Sequence, residues 1–280
     1  MRKKIRFWNI LYHAVALLGC AVMFYPLLWM LMSSFKDTNT IFNTANELIP
    51  RMFTLVNYKN GWKGFAGYTF GTFLKNSCLI AITATVGAVL SSSLVAYGFA
   101  RCRFKGRKFL YGCMMVTMML PFQVSMIPQF LWYKKLGIVG TYIPLILPYF
   151  CGSGFYIFQM VEFLTGIPKE LDEAAKLDGC SFYGIYLRIM LPLLKPALVT
   201  CAIFSFISRW DDFMGPLLFI NRTDMYPISY ALKLFCDPTS GSDYGAMFAM
   251  SVISLVPAVL LFLVMQKHIV EGISTSGIKG

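Results

Sequence analysis

The sequence predicts an all-α membrane protein with six transmembrane helices, and three observations lead there. Of 280 residues 57% are hydrophobic and only 14% charged, which is more apolar surface than a water-soluble core could hide. Charge-free intervals recur along the chain, and a helix rising about 1.5 Å per residue needs roughly 20 residues to cross the hydrocarbon. The basic residues stand mostly at the ends of these intervals, where they flank spans. Membrane orientation thus accounts for the formal net charge of +12, and a nucleic-acid partner is not expected.

Five intervals qualify as spans outright: 10–32, 76–100, 109–133, 136–161 and 244–266. A sixth, 196–220, is long enough only if Arg209, Asp211 and Asp212 are admitted into it. Six crossings put both chain ends on one side. Arg2, Lys3, Lys4 and Arg6 precede the first span, and Arg101, Arg103, Lys105, Arg107 and Lys108 crowd the connection from the second to the third. Such clusters are cytoplasmic, so both termini and the 162–195 segment are expected there. The first apolar run is too long for a cleaved signal peptide and ends in "MLMSSFK", with no small-x-small site, so it is expected to stay as an anchor.

On the opposite side lie 33–75, a short turn near Lys134 and Lys135, and 221–243, none large enough for a separate domain. One membrane domain over 1–280 is therefore expected. Small residues at Ala81, Ala84, Ala88, Ser91, Ser92 and Ala96 let another helix approach the second span closely. Several of the eight cysteines fall inside apolar runs and none forms a CxxC, so they read as small core residues.

One charged island interrupts this pattern, "PKELDEAAKLDGCSFYGIYLRIMLP" at 168–192. Pro168 suits a first helical position, and Glu170, Asp172 and Glu173 complement the positive end of a helix. Gly179 supplies a left-handed stop, Ser181 can cap a second short helix running to about Met190, and Pro192 begins the return into lipid. The result is a shaped knob with Ala174 and Ala175 on a surface open to close contact, which reads as a docking element. An amphipathic helix lying on the headgroups is the alternative, and its acidic residues would face an anionic leaflet.

The order Glu173-Ala174-Ala175, three residues, Gly179, nine residues, Ile189, one residue, Leu191-Pro192 resembles the EAA signature of the permease subunits of bacterial ABC importers. Average residue frequencies would give these seven positions by chance with a probability on the order of one in a million. "LIP" at 48–50, "NY" at 57–58, "NS" at 76–77, "AYGFARCRFKGR" at 96–107 and "VEGISTSGIKG" at 270–280 extend the resemblance to the MalG-like permeases of carbohydrate importers. That resemblance implies the type I permease fold and, in the 162–195 loop, coupling helices that seat in an ATPase subunit. Glu173, Ala174, Ala175, Asp178, Gly179, Ile189, Leu191 and Pro192 would serve that docking. It further implies a second homologous, MalF-like permease, an ATPase dimer that binds ATP and Mg²⁺, and an external solute-binding protein, besides the lipid bilayer. The family's tail reaches toward the ATPase, which would make Gly272, Gly277, Lys279 and Gly280 a second contact; a frayed end is the plain alternative.

No catalytic site is expected. The chain has no GxxxxGK[ST] phosphate loop, so ATP would be bound by a partner, and it has no HExxH, GxSxG or paired Cys/His spacing. His13 and His268 stand far apart and read as packing or interfacial residues, so no metal and no cofactor is expected in this chain. The remaining feature is "SRWDDFMGP" at 208–216. Charge within a span is costly unless paired or wetted, and it usually marks function. Arg209 and Asp212 are one turn apart, Asp211 adds an acid, and Trp210 and Phe213 offer aromatic faces of the kind that stack on sugars. They line a translocation pathway, or Pro216 ends the helix early and the charges are structural. The function expected is an ATP-driven, binding-protein-dependent importer of oligosaccharides or related glycosides, working by alternating access. A permease of the same class for another solute, such as glycerol phosphate, an ion-coupled secondary carrier using Arg209, Asp211 and Asp212, and a scaffold without transport stay open from the residues.

Overall fold

The computed structural model describes residues 2–236 and 242–277, with side-chain surroundings for these residues outside 2–7, 10 and 267–277. Among the described residues every regular element is helical. In chain order these are α1 (Arg2–Ser33), α2 (Val56–Lys63), α3 (Phe70–Arg101), α4 (Arg107–Met118), α5 (Phe122–Lys135), α6 (Ile143–Ile146) and α7 (Gly154–Thr165). They continue with α8 (Glu170–Leu177), α9 (Phe182–Ile185), α10 (Leu191–Leu193), α11 (Lys195–Trp210), α12 (Met214–Phe219), α13 (Ile228–Leu234) and α14 (Tyr244–Gly277). Among the described residues four helical stretches are long and apolar enough to cross a membrane, Leu11–Ser33, Phe70–Arg101, Ile143–Thr165 and Tyr244–Gln266, and two bent pairs raise the number to six if each makes one crossing. The chain is thus the all-helical, multi-span protein that its composition demands.

Where one domain is expected over 1–280, the chain groups into two compact units, Met1–Gly71 with Ala231–Val256, and Thr72–Tyr230 with Pro257–Gly280. In the first, the loop after α1 is organised by buried polar groups. Asn57, 2% exposed, donates from Nδ2 to the carbonyls of Ser34 at 2.8 Å and Lys36 at 2.6 Å. Lys36, 3% exposed, gives its ammonium to the carbonyls of Thr44 at 2.8 Å and Glu47 at 2.6 Å. Chain turns that lack helical hydrogen bonds need such substitutes, which is why Asn57 sits inside. On the surface Arg51 clasps Glu47 through two nitrogens, and that hydrogen bond holds the Glu47 carboxyl below the usual carboxylate range.

The second unit is built on α3. Ala81, Ala84, Ala88, Ser92 and Ala96 are all buried at spacings of three or four, the small stripe expected for close helix approach. Ser91 Oγ donates to the Tyr149 carbonyl at 3.1 Å and Ser92 Oγ accepts from the Ser153 amide at 3.0 Å, which pins the segment before α7 to the middle of α3. One apolar cluster joins Ala96, Tyr97 and Ala100 of α3 to Met160 and Leu164 of α7, Ala175 of α8, and Met190, Leu194 and Cys201.

Three of the expected intervals are interrupted. Residues 109–133 hold α4 and α5, bent by 99°. Pro121 has no amide to donate and bars helical geometry at Leu120, and its own backbone is extended at φ −61°, ψ 138°. Within 136–161 the chain is a turn through Gly137 and Gly140, then α6, a 3₁₀ turn over Leu147–Cys151, and α7, so the helical stretch begins only at Ile143. Within 196–220, α11 stops at Trp210 and α12 begins at Met214. Counting charge-free residues measures lipid compatibility, and it cannot see where a backbone turns.

Candidate functional site

The charged island forms two short helices around a tight corner. α8 starts at Glu170, with Pro168 two residues ahead of it instead of inside its first turn. Glu170, Asp172 and Glu173 occupy that first turn, where carboxylates meet the positive helix end. The Gly179 amide donates to the Lys176 carbonyl at 3.0 Å and the Cys180 amide to the Ala175 carbonyl at 2.9 Å, a Schellman stop that requires the left-handed φ of +78° found at Gly179. Ser181 Oγ then accepts the Gly184 amide at 3.1 Å and caps α9, which passes through a π-helical turn, Tyr186–Met190, into α10.

Helical periodicity divides α8 into two faces. Asp172 and Ala175, three apart, point inward and are 7% and 5% exposed. Glu173, Ala174, Lys176 and Asp178 are exposed, as is Leu177 at 90%. The expectation that both alanines face outward is therefore corrected: Ala174 does, whereas Ala175 is packed against α7 and α3 residues. Ile189 and Leu191 likewise pack on that core, whereas Pro192 is exposed. Leu177, which drew no notice as one apolar letter in "EAAKLDG", is the most exposed large apolar side chain of this loop.

The loop is fastened from behind. Arg101 Nε lies 3.3 Å from Asp172 Oδ2, with the two side chains 4% and 11% exposed, and Arg101 Nη2 donates to the Ile167 carbonyl at 2.8 Å. Tyr186 and Ser93 share a 2.7 Å hydrogen bond between their hydroxyls inside the core. The Tyr97 ring packs 4.7 Å from Phe182 and 5.2 Å from Tyr186. Sequence reasoning took Arg101 for a membrane flank and Asp172 for a helix-end charge; the one available signal was an aspartate at the same helical face as Ala175. Nearby, burial pushes the Cys102 thiol above its usual range.

The second constellation surrounds the break between α11 and α12. Arg209, in the last turn of α11, lies 3.6 Å from Asp212 Oδ2, hydrogen-bonds the Tyr149 hydroxyl, and stands with its guanidinium carbon 4.4 Å from the centre of the same ring. Asp212 is not on the helix of Arg209. It lies in the break, where Oδ1 accepts the Gly215 amide at 3.0 Å and its carbonyl accepts Ser229 Oγ at 2.6 Å. A Cβ on Gly215 would fall 2.5 Å from Asp212 Oδ2 and 2.9 Å from Leu145 Cδ2, so any larger residue there would displace the Asp212 carboxylate. Pro216 sits inside α12, so the helix ends before it, at the acidic doublet. A cleft of about 390 Å³ opens here, lined among others by Gln129, Tyr149, Ser153, Arg209 and Asp212.

Trp210 is buried at 5% and stacks on Phe206 at 5.4 Å and 18°, which corrects the expectation of an aromatic face free for a sugar. Phe213 is half-buried 5.8 Å from the Tyr230 ring, and Asp211 is exposed. Tyr149 is the residue that sequence reasoning missed, because nothing in "ILPYF" distinguishes it. Gly272 and Gly277 lie in the helical backbone of α14, while Lys279 and Gly280 fall outside the described residues. No group of three or more metal-ligating side chains stands together among the described residues.

Residues 88–275 match the family model described as "Binding-protein-dependent transport system inner membrane component". The chain is similar to the arabinooligosaccharides transport system permease protein AraQ of Halalkalibacterium halodurans, 34% identical over 258 residues that cover 91% of each chain. It is also similar to the trehalose/maltose transport system permease protein MalG of Thermococcus litoralis, 33% identical with 95% of each covered, and to the diacetylchitobiose uptake system permease protein NgcG of Streptomyces coelicolor, 30% identical over 94% of this chain and 86% of that one. In fold it resembles a chain of a bacterial ABC transporter involved in the import of the acidic polysaccharide alginate, with TM-score 0.83, 22% identity, and 94% and 97% of the two chains covered. With a family model spanning most of its length and relatives aligned over nine-tenths of it, the chain belongs to the inner membrane components of binding-protein-dependent transport systems.

Proposed function

We propose that this permease subunit forms half of the transmembrane pathway of an ATP-driven importer of oligosaccharides or related glycosides. The relatives named above support that substrate class, each being named for an oligosaccharide or disaccharide. They favour it over the glycerol-phosphate alternative, and a binding-protein-dependent family does not fit an ion-coupled carrier. The subunit itself is non-catalytic. A second, MalF-like permease completes the pathway, an ATPase dimer holding ATP and Mg²⁺ drives it, and an external solute-binding protein delivers the ligand.

The observation that carries this reading is the two-faced α8. Its inner face is clamped to α3 by the Arg101–Asp172 pair, while its outer face presents Glu173, Ala174 and a Leu177 side chain 90% exposed. A rigidly held helix that presents Glu173, Ala174 and Leu177 on one side supports a protein partner there. Both termini and the 162–195 loop lie in the cytoplasm, the loop seats in the ATPase, and the tail including Gly272, Gly277, Lys279 and Gly280 makes a second contact with it. Closure of the ATPase dimer on ATP draws the docking loops together and opens the cavity outward, and hydrolysis resets it. Arg209 and Asp212, with Asp211 beside them, line the pathway; Trp210 and Phe213 shape it from behind.

Co-expression with the neighbouring permease and ATPase, followed by purification and measurement of binding-protein-stimulated hydrolysis, tests this. Glu173→Ala and Leu177→Asp are expected to insert normally and to lose subunit co-purification or stimulated hydrolysis. Normal stimulation in both variants would overturn the docking assignment.

A further inference from the structure

A second cleft, of about 570 Å³, lies between the end of α3, the 102–107 connection, α8 and Phe182. That volume is within the roughly 300–1,000 Å³ of small-ligand pockets. Its lining is strongly basic: Arg101, Arg103, Arg107, Lys169 and Lys176 face Asp172 and Glu173. Asp172 is committed to Arg101, and none of the other four cations makes an ion pair among the described residues. Arg101 is held by Asp172 at 3.3 Å and by the Ile167 carbonyl at 2.8 Å, so Arg103, Arg107, Lys169 and Lys176 against Glu173 leave the cleft with a surplus of positive charge. Such a surplus is balanced by an oxygen-rich anion.

The neighbourhood of the cleft says which anion. It opens where the long apolar helix α3 ends, and just beyond it the connection exposes Phe104 at 43% and the first turn of α4 exposes Phe109 and Leu110 at 74% and 50%. Apolar side chains exposed beside unpaired cations at the end of a span mark the boundary between acyl chains and headgroups. We infer that this cleft binds the phosphate of an anionic phospholipid of the cytoplasmic leaflet, with the acyl chains against Phe104, Phe109 and Leu110. The inference rests on the cytoplasmic placement of this loop proposed above, and it goes beyond it. Because Glu173 and Lys176 belong to both the cleft and α8, an occupied site would steady the docking helix from the membrane side.

Native mass spectrometry of the purified full chain tests this, with phosphatidylglycerol and phosphatidylcholine added in turn and inorganic phosphate in a third arm. Arg103→Gln with Arg107→Gln removes two cleft cations. Lys105→Gln with Lys108→Gln removes the same charge from the same connection outside the cleft. The first pair is expected to weaken phosphatidylglycerol binding roughly 10- to 30-fold and the second at most about twofold, with phosphatidylcholine indifferent to both. Equal losses in the two pairs would mean a diffuse charge effect and overturn the site. Inorganic phosphate binding with the same residue dependence while the two lipids bind alike would overturn the lipid assignment, as would phosphatidylglycerol binding unchanged in the first pair. Lipid binding is read on the permease without its partners, so its failure is separable from a failure of ATPase docking.

Discussion

Arg101, the last residue of α3, and Asp172, in the first turn of α8, form a buried ion pair, Nε to Oδ2 3.3 Å, that ties the 162–195 loop to the longest helix of its unit. Removing one partner leaves a buried charge uncompensated, at a cost of roughly 3–5 kcal/mol. Asp172→Asn is expected to lower the thermal midpoint of the solubilised subunit by several degrees and to impair coupling. Arg101→Met combined with Asp172→Leu should recover a large part of the stability, as read by thermal unfolding followed by size-exclusion chromatography.

At Gly179 the cost of substitution is confined to the backbone, because a Cβ there would meet nothing within 4 Å and φ is +78°. Gly179→Ala should cost about 1–2 kcal/mol of local order and Gly179→Val more, whereas Gly179→Asn, which tolerates the left-handed region, should cost least. Binding-protein-stimulated ATPase activity should follow the same order while membrane insertion stays constant.

Asn57 joins two turns of the outer segment through a single amide, so Asn57→Ala strands the carbonyls of Ser34 and Lys36. An expected loss of about 2–3 kcal/mol follows from the cost of unsatisfied buried groups. Asn57→Asp should be worse, since a carboxylate would face two carbonyl oxygens. Thermal unfolding of the purified chain measures both.

Arg209 is held by Asp212, by the Tyr149 hydroxyl and by the Tyr149 ring face 4.4 Å away. Tyr149→Phe keeps the ring and should slow uptake by no more than about threefold. Arg209→Ala leaves Asp212 without its cation in the cleft and should slow uptake by about tenfold or more. Uptake of radiolabelled glycoside by reconstituted vesicles distinguishes the two, and equal rates in wild type and Arg209→Ala would remove this residue from the pathway.

Topology has its own readout. In a background without the native cysteines, Lys105→Cys and Lys176→Cys should be labelled by impermeant maleimide only from the cytoplasmic side, and Thr223→Cys only from outside. Labelling of Lys176→Cys from outside would invert the orientation and remove the docking role of α8.

Local chemistry was legible in the 162–195 loop. Gly179 as a left-handed stop and Ser181 as a cap follow from residue type alone, because each satisfies backbone groups within four residues of itself. The small stripe from Ala81 to Ala96 was equally readable, since helical periodicity fixes which residues share a face. The bend at Pro121 was readable in principle, yet an uninterrupted apolar run masked it.

By itself the sequence determined that this chain is helical, lives in lipid, and carries a charged two-helix loop turned at Gly179 and capped at Ser181, because composition, charge placement and short motifs act through solvent and nearest neighbours. Tertiary structure alone decided that Ala175 turns inward while Leu177 turns out, that Trp210 is buried on Phe206, that Asp172 answers Arg101 and that Tyr149 holds Arg209. Apart from the stack of Trp210 on Phe206 within α11, each of those outcomes depends on which distant segment arrives at a given face. Burial and ion pairing are properties of that arrangement, and no local stretch of residues encodes them.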